Sequence, residues 1–566
     1  MRFRRLSRSY KDYEIAPEEV LLDDANSPDF NRFRLEGRLE RPLSKSAFLW
    51  LHGVIAVIFA VLTLQVWSLQ VQKGEAYAAI SAENSIESRV LFAKRGPIFD
   101  RRGVPLVENE PTEEGFFLRR YRTEGTSSLL GYVSYPKKDR SGNYYDVETK
   151  GLAGVESSFQ KQLSGKNGRI LVEMNALGEV QSQGAIEEPE DGGVITLSID
   201  VRVQEAFYRA IKELADRIPY SGGTGMLMDV ETGELIAFVS YPEYDSNVIS
   251  FGAEQEVIAS YAKDKRHPYL HRAFQGLFAP GSVVKPLEAA GALTDGIIDP
   301  AYTIVDTKGY ISIPNRYNPD QPTIFRDWRV QGSVDLRKAI AVSSDIYFYM
   351  LGGGYGGQKG LGIERLAYWY RAFGLEEKTG IELSGEEVGF IPTPAWKEKT
   401  YGEPWTIGNT YHTAVGQYAM QVTPLAIARA LAALANGGTL VEPTILSRVQ
   451  SNTEKEQRRV PVNESALAVA HEGMRQGVIS GTSAGLFTYD SLVHIAGKTG
   501  TAQLGAKNEY HNSWATGFFP YEHPKYVYVV LMDKGPADNT IGGVYIMSQV
   551  IRELSKTAPE YFAVSP

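Results

Sequence analysis

Residues 280–285 of the chain read Pro-Gly-Ser-Val-Val-Lys, and they predict a sharp turn that opens directly into a helix. The Pro-Gly pair favours a chain reversal, and Val283 to Leu293 form a mostly apolar run of helical length. The hydroxyl of Ser282 should therefore lie at a helix N-terminus, with Lys285 one turn further on and on the same side. A serine hydroxyl needs a base within hydrogen-bond reach to act as a nucleophile, and Lys285 is the candidate base.

Two further motifs follow the Ser-x-x-Lys of residues 282–285. The middle motif is Ser343-Ser344-Asp345 and the last is Lys498-Thr499-Gly500. In this order the three motifs can build an acyl-transfer site. The candidate catalytic and binding residues that they add are Ser343, Asp345, Lys498, Thr499, Gly500 and Thr501. Ser343 is placed to relay a proton from Lys285 to an amine. Lys498 and the two threonine hydroxyls could hold an anionic substrate carboxylate, and Gly500 would let a substrate backbone lie close against a strand.

Taken alone, the first and the last motif are weak evidence for a catalytic site, because each of them recurs elsewhere in the chain. Ser-x-x-Lys also begins at Ser134, Ser158 and Ser260, and Lys-Thr-Gly recurs at residues 378–380. Sequence context separates the copies. Ser134 and Ser260 stand in polar stretches, the second Lys-Thr-Gly predicts a helix end capped by its glycine, and Lys498 follows a strand-like apolar run.

The protonation of Lys285 is left open by the sequence. A lysine is charged near neutral pH and can act as a base only when neutral. Burial in a cleft and repulsion from Lys498 would favour the neutral form, whereas the carboxylate of Asp345 would favour the charged form.

The wider sequence resembles the class B penicillin-binding proteins, which are membrane-anchored peptidoglycan transpeptidases, from about residue 47 almost to the end. Besides the three motifs, the resemblance rests on Arg95-Gly96, Asp100–Gly103, Gly154–Glu156, Met228–Val230, Thr232–Glu234, Tyr244–Asn247, Gly416-Gln417, Val422–Leu425 and Asn436–Gly438. It implies an α/β (α+β) penicillin-binding transpeptidase fold, with an antiparallel sheet covered by helices on both faces. It also implies that the backbone N–H groups of Ser282 and Thr501 form the oxyanion hole.

The implied activity is that of a serine D,D-transpeptidase that cross-links peptidoglycan stem peptides ending in D-Ala-D-Ala. Ser282 would carry the acyl group, and β-lactams would acylate the same residue. The resemblance implies no cofactor and no metal. Since no glycosyltransferase segment is recognisable, glycan polymerisation would come from a partner, a RodA-type (SEDS) polymerase of the elongation complex.

One position narrows the subfamily, and another departs from the family pattern. Asp345 stands where division-type enzymes usually have asparagine, and with the aromatic residues 347–349 it resembles the elongation type, the penicillin-binding protein 2 group. Tyr418 departs from the family pattern, in which a second glycine usually follows Gly416-Gln417. The shape of that loop is therefore not predictable from the resemblance.

The composition bounds the function classes. The chain has 566 residues, of which 43% are hydrophobic, as in an ordinary globular protein and unlike a polytopic membrane protein. A net charge of −9 gives no support to nucleic-acid binding. The chain has no cysteine, which excludes disulfides and thiolate metal sites.

The predicted layout has four parts. Residues 1–46 are a cytoplasmic tail, and residues 47–69 are a transmembrane signal-anchor helix, favoured over a cleaved signal peptide by its length. Residues 70–190 are a non-catalytic, dimerisation-like pedestal, and residues 191–566 are the transpeptidase domain. Basic residues before the anchor predict a cytoplasmic N-terminus. With this orientation, the resemblance implies a single-pass protein of the bacterial inner membrane with a periplasmic catalytic domain.

Other functions stay open at this stage. A D,D-carboxypeptidase or β-lactamase-like hydrolase would use the same serine with water as the acceptor, although neither needs an anchor and a pedestal. A division-type transpeptidase, a non-catalytic β-lactam sensor and a scaffold that activates the polymerase are the remaining alternatives.

Overall fold

The computed structural model of the chain describes residues 45–75, 77–78, 85–174, 180–315, 318, 320–448 and 457–563. Residues 1–44, which make up nearly all of the predicted cytoplasmic tail, lie outside the described residues. The residues of 87–172 and 182–566 group as one compact unit, and the first helix belongs to another.

The first described helix is α1 (Lys45–Trp67), which continues as a π-helical turn over Ser68–Gln72. The apolar stretch Phe48–Gln72 has 25 residues and would span about 37 Å at 1.5 Å per residue, enough for a ~30 Å hydrocarbon core. Two polar side chains of this stretch bond within the helix, because His52 Nδ1 donates to the Phe48 carbonyl and Thr63 Oγ1 donates to the Phe59 carbonyl. The predicted apolar helix is thus present, with the length and composition of a membrane span.

Short strands and helices dominate the region before residue 200. Its strands are β1 (Ser85–Leu91), β2 (Ile98–Phe99), β3 (Pro105–Pro111), β4 (Phe117–Tyr121), β5 (Val133–Ser134), β6 (Lys137–Lys138), β7 (Tyr144–Asp146), β8 (Lys150–Gly151), β9 (Gly168–Met174), β10 (Val180–Glu187) and β11 (Ile195–Thr196). Its helices are α2 (Ser127–Leu130), α3 (Gly154–Ser158) and α4 (Gln160–Leu163). The largest sheet has the order β11-β2-β3-β4.

A buried ion-pair cluster holds this region together. Glu156 is fully buried and accepts from Arg95 Nε at 2.5 Å and from Arg119 Nε at 2.8 Å. Burial opposes ionisation, yet the two guanidinium groups keep the pKa of Glu156 below its usual value. These contacts give a structural reason for two of the short matches quoted above, Arg95-Gly96 and Gly154–Glu156.

The catalytic region is built on a five-stranded antiparallel sheet in the order β13-β12-β22-β21-β20. The strands of this region are β12 (Gly222–Asp229), β13 (Leu235–Tyr241), β14 (Ile304–Asp306), β15 (Tyr310–Ile313), β16 (Thr323–Arg326), β17 (Gly332–Val334), β18 (Thr439–Leu440), β19 (Arg458–Arg459), β20 (Ala496–Leu504), β21 (Tyr510–Phe519) and β22 (Tyr526–Pro536). The hairpin β12–β13 and the three late strands β20, β21 and β22 make up this sheet. The strand that contains Lys498 begins at Ala496, a few residues later than the sequence suggested.

Helices cover both faces of the sheet. The helices of this region are α5 (Val201–Arg217), α6 (Ser246–Phe251), α7 (Gln255–Lys263), α8 (Arg272–Gln275), α9 (Lys285–Thr294), α10 (Leu336–Ala341), α11 (Asp345–Gly353), α12 (Gly362–Ala372), α13 (Pro394–Tyr401), α14 (Ile407–Ala414), α15 (Pro424–Ala435), α16 (Glu464–Ile479) and α17 (Gly543–Thr557). Side chains alternate across a strand, so Met226 and Met228 join the core that contains α9 and α15, while Leu227 joins the core that contains α5 and α17. The predicted fold, an antiparallel sheet covered on both sides, is confirmed.

Candidate functional site

The turn before Ser282 packs directly against strand β20. Gly281 has a φ of 57°, and a Cβ atom there would lie 3.2 Å from the Thr501 carbonyl oxygen. A Cβ atom on Gly500 would lie 2.9 Å from the Pro280 carbonyl oxygen. Both glycines are therefore required by close backbone approach, and together they bring Ser282 beside Thr501. Residues Gly281–Val284 form a 3₁₀ turn that leads into α9, as the sequence predicted.

Lys285 is fully buried and holds the middle motif through its ammonium group. Its Nζ donates to Asp345 Oδ1 at 2.7 Å and to the Ser343 carbonyl at 2.9 Å, and it lies 3.4 Å from Ser343 Oγ. Ser282, by contrast, makes no side-chain hydrogen bond within the described part of the chain. Its hydroxyl is therefore available to an incoming substrate.

The middle motif is a tight turn between α10 and α11. Ser343 has a φ of 59°, which is uncommon for a residue other than glycine. The next residue, Ser344, caps α11 by accepting from the Tyr347 N–H at 3.3 Å. Asp345 is the first residue of α11, where a carboxylate interacts favourably with the helix dipole.

Lys498 is the second buried lysine of the site. Its Nζ donates to Ser343 Oγ at 2.8 Å and to the Thr499 carbonyl at 2.7 Å, and it makes no ion pair with a carboxylate among the described residues. Burial and the charge of Lys285 hold the pKa of Lys498 well below its usual range, although Asp345 partly offsets them. The lysine with the depressed pKa is thus Lys498, while Lys285 has the carboxylate partner.

These groups meet at a cleft of about 1050 Å³. The predicted site residues that line it are Ser282, Ser343, Asp345, Thr499, Gly500 and Thr501. Lys285 and Lys498 lie buried at its base. The structure therefore brings all eight predicted residues together.

The other motif copies lie in different surroundings. Ser260 Oγ donates to the Val257 carbonyl of its own helix, and Ser158 is a part-buried residue of α3. The second Lys-Thr-Gly was expected at a helix end, and that prediction is wrong. Helix α12 already ends at Ala372, and Thr379 lies in a loop where its hydroxyl donates to Glu386 at 2.6 Å.

Asp327 is a member of the site that sequence reasoning missed. It is buried, and its carboxylate accepts from Ser344 Oγ at 2.8 Å and from the Ile346 N–H at 3.2 Å. Burial and the neighbouring charge of Asp345 raise its pKa. Asp327 thereby ties the cleft-lining residues Arg326 and Trp328 to the middle motif. It lies between motifs in a segment with no regular spacing, so no pattern pointed to it.

The fold and the cleft define a class of protein, the serine acyl-transferases. The candidate nucleophile is Ser282, and two buried lysines contact Ser343 in the same cleft. Profiles of known families then match two parts of the chain. A profile described as the penicillin-binding protein transpeptidase domain matches residues 223–552, and one described as the penicillin-binding protein dimerisation domain matches residues 114–197. Since the first match covers more than half of the chain, the chain belongs to the penicillin-binding protein transpeptidase family.

Individual relatives agree with this assignment. The peptidoglycan D,D-transpeptidase MrdA of Haemophilus influenzae is 32% identical over 463 residues, which are 76% of this chain and 67% of that protein. Penicillin-binding protein PBP2 of Helicobacter pylori, solved in complex with MreC, is 26% identical, with a TM-score of 0.66, over 84% of this chain and 99% of that one. A chain from a peptidoglycan synthase complex described as coordinating polymerisation and cross-linking is 25% identical, with a TM-score of 0.69, over 92% and 99%. The predicted serine D,D-transpeptidase of the elongation type is confirmed.

Proposed function

We propose that this chain cross-links peptidoglycan stem peptides during cell elongation through an acyl-enzyme on Ser282. The observation that carries the proposal is the buried chain of contacts from Lys285 through Ser343 to Lys498, at the cleft that Ser282 also lines. Ser282 Oγ attacks the penultimate D-Ala carbonyl, the new C–O bond forms, and the C–N bond to the terminal D-Ala breaks. An amine from a second stem then attacks the ester and releases the serine.

The protonation states that the two lysines favour suit this reaction. Asp345 balances one protonated lysine, and the depressed pKa of Lys498 favours a second lysine that is neutral. The cluster can therefore accept the proton of Ser282. Ser343 Oγ contacts both lysines, so it can pass that proton to the leaving amine, as the sequence suggested.

Substrate binding is assigned to strand β20. Thr499 and Thr501 line the cleft, and their hydroxyls are assigned to the terminal carboxylate, with the Lys498 side chain beside them. Gly500 leaves the strand open to a substrate backbone. The N–H groups of Ser282 and Thr501 are assigned to the oxyanion, where one such donor is worth on the order of 10²–10³ in rate.

The placement of the chain follows from α1. We assign residues 1–46 to the cytoplasm, 47–69 to the membrane, 70–190 to a pedestal and 191–566 to a periplasmic transpeptidase domain. The length of the apolar helix and the basic residues before it support this single-pass topology in the inner membrane.

The partners are proposed from the neighbouring structures. One of them contains MreC and another is a peptidoglycan synthase complex. We assign to this chain a RodA-type polymerase partner and a place in an elongation complex with an MreC-like protein.

The test is labelling of membranes by a fluorescent penicillin, with wild type beside Ser282→Ala. The matched control is Ser260→Ala, which removes the serine of another Ser-x-x-Lys that bonds only its own helix. A stable band that is lost only in Ser282→Ala supports the proposal. A band that persists in Ser282→Ala overturns it, and a band that decays within minutes would favour a hydrolase.

A further inference from the structure

Tyr418 holds a backbone conformation that bulky residues rarely adopt. Its φ is 65°, in the left-handed region, at the position where the family usually has glycine. The surrounding loop enforces this conformation, because the Gln417 N–H donates to the His412 carbonyl at 2.8 Å and the Gly416 N–H donates to the Thr413 carbonyl at 3.0 Å. Strained residues concentrate at functional sites. The question is therefore what the tyrosine ring contributes here.

The ring of Tyr418 lines the catalytic cleft and is 38% exposed. It stands edge-on to Trp396, with ring centroids 6.1 Å apart, and edge-on to Trp405, at 5.8 Å. Trp396 in turn packs against Tyr401, which is 60% exposed. We call these four residues, Trp396, Tyr401, Trp405 and Tyr418, the aromatic shelf.

The aromatic shelf is continuous with the acyl-transfer site. Gln417, next to Tyr418, lies with its Nε2 atom 3.5 Å from the Thr501 carbonyl. One residue earlier, the Gly416 carbonyl accepts from the Gly281 N–H at 2.9 Å, directly before the nucleophile candidate. A substrate acylated on Ser282 would thus extend over the shelf if its chain left the cleft on this side.

The chemistry of the shelf selects among the parts of a peptidoglycan substrate. The ring nitrogen of Trp405 is already bonded to Thr410 Oγ1 at 2.9 Å, so this side chain presents mainly its π-face. The ammonium of Lys397 is engaged by the Pro404 carbonyl, Asn409 and Glu403. Stem peptides have charged carboxylates and amines, whereas the sugars of the glycan are neutral and have apolar C–H faces that pack on aromatic rings.

We propose that the aromatic shelf is a subsite for a neutral N-acetylhexosamine ring of the glycan strand, and that Tyr418 gives this chain that subsite. The proposal rests on the proposed function, since it assigns a second part of the same substrate. The shelf orients the glycan, while the cleft around Ser282 takes the stem peptide.

The experiment uses the full chain in detergent micelles and a β-1,4-linked N-acetylglucosamine tetrasaccharide as the probe, followed by tryptophan fluorescence. Wild type and Tyr418→Phe should bind the probe alike, because both keep the ring. Tyr418→Gly should bind the probe about fivefold more weakly or not at all, because it loses one aromatic ring contact. Tyr368→Ala, which removes an exposed tyrosine of α12, is the matched control and should bind as wild type.

Penicillin acylation of the same four proteins separates this proposal from the proposed function. All four proteins should still form the acyl-enzyme with penicillin, because none of the substitutions removes one of the eight motif residues. Tyr418→Gly removes a strained residue in favour of the one that the φ of 65° suits, so its fold should be kept. No binding by wild type, or equal binding by wild type and Tyr418→Gly, would overturn the subsite. Loss of acylation in wild type would instead refute the proposed function.

Discussion

At the level of single residues, the carboxyl group of Glu288 is buried without hydrogen bonds that would compensate for its lost hydration. It lies one turn after Lys285, it is fully buried, and neither oxygen has a hydrogen-bond partner of ordinary geometry among the described residues. The Tyr370 hydroxyl beside it points to the carbonyls of Thr413 and Ala414, at 3.4 and 3.3 Å. Burial raises the pKa of Glu288 well above its usual value, although Lys285 opposes this. A buried acid without partners destabilises the folded state.

Replacing Glu288 by methionine should therefore stabilise the protein, and the gain should grow with pH. An acid with a raised pKa in the folded state makes the fold less stable as pH rises above its unfolded value, near 4.5. We expect a gain of about 1–3 kcal/mol at pH 8 and a smaller gain at pH 4.5. Thermal unfolding of both proteins at the two pH values measures it. A gain that does not change with pH would contradict this account.

A second prediction at the residue scale concerns Asp345. Its charge raises the pKa of Lys498, which other influences depress. Asp345→Asn should lower that pKa further, so a neutral lysine should persist to lower pH and the acid limb of penicillin acylation should move to lower pH. The measurement is the acylation rate from pH 5 to 9 in wild type and variant, with Glu376→Gln, a remote charge removal, as control. An unchanged profile, or a move to higher pH, would refute the assignment.

The motif residues could be predicted because their sequence context distinguished them from the other copies. Ser282 is preceded by a Pro-Gly turn and Lys498 stands on a strand, whereas Ser260 is an ordinary helix residue. Asp327 could not be predicted, since its role depends on a turn that brings it to Ser344 across 17 residues without a repeating pattern. Likewise, the low pKa of Lys498 depends on burial and on neighbouring side chains that no spacing encodes.

At the level of elements, Asp327 joins the segment after β16 to the start of α11. It accepts from both the capping hydroxyl of Ser344 and the backbone N–H of Ile346, so it orients the turn that contains Ser343. Asp327→Ala should lower stability by about 1–3 kcal/mol, because buried donors lose their acceptor. It should also slow penicillin acylation about tenfold or more, because Ser343 loses its position.

The control for Asp327 is Ser344→Ala, which removes one of its contacts and leaves the other. Its cost should be about 1 kcal/mol, that of a lost helix cap, with a smaller effect on acylation. Unfolding curves and acylation rates of the two variants separate stability from positioning. If Asp327→Ala were destabilised but acylated at the wild-type rate, Asp327 would have no positioning role.

The elements themselves were more predictable than their arrangement. The apolar runs of β12, β13 and the late strands are local signals, and the structure has strands at all of them. The sheet order was not readable, because β12 pairs with β22 across about 300 residues and no local pattern specifies such a partner. The resemblance to the family supplied an antiparallel sheet covered by helices on both faces, and the structure supplied the strand order.

At the level of the whole molecule, Glu243 links the predicted pedestal to the catalytic region. Its carboxyl group follows β13 and accepts from the N–H groups of Gly125 at 2.7 Å and Ser127 at 2.9 Å, while the Ser128 N–H lies at 3.5 Å. Burial raises the pKa of Glu243 to about 7, although these N–H donors oppose it. The link therefore titrates near neutral pH.

The sign of this titration gives the last prediction. An acid whose pKa rises from 4.5 to about 7 on folding contributes stability that is complete below pH 4.5 and declines until pH 7, by about 3 kcal/mol if the unfolded group is normal. After correction for intrinsic rates, the amides of residues 125–130 should be less protected from hydrogen exchange at pH 8 than at pH 5. Glu243→Gln keeps an acceptor that does not titrate, so its protection should be independent of pH. If protection changed with pH to the same extent in wild type and in Glu243→Gln, Glu243 would not control the link between the two regions.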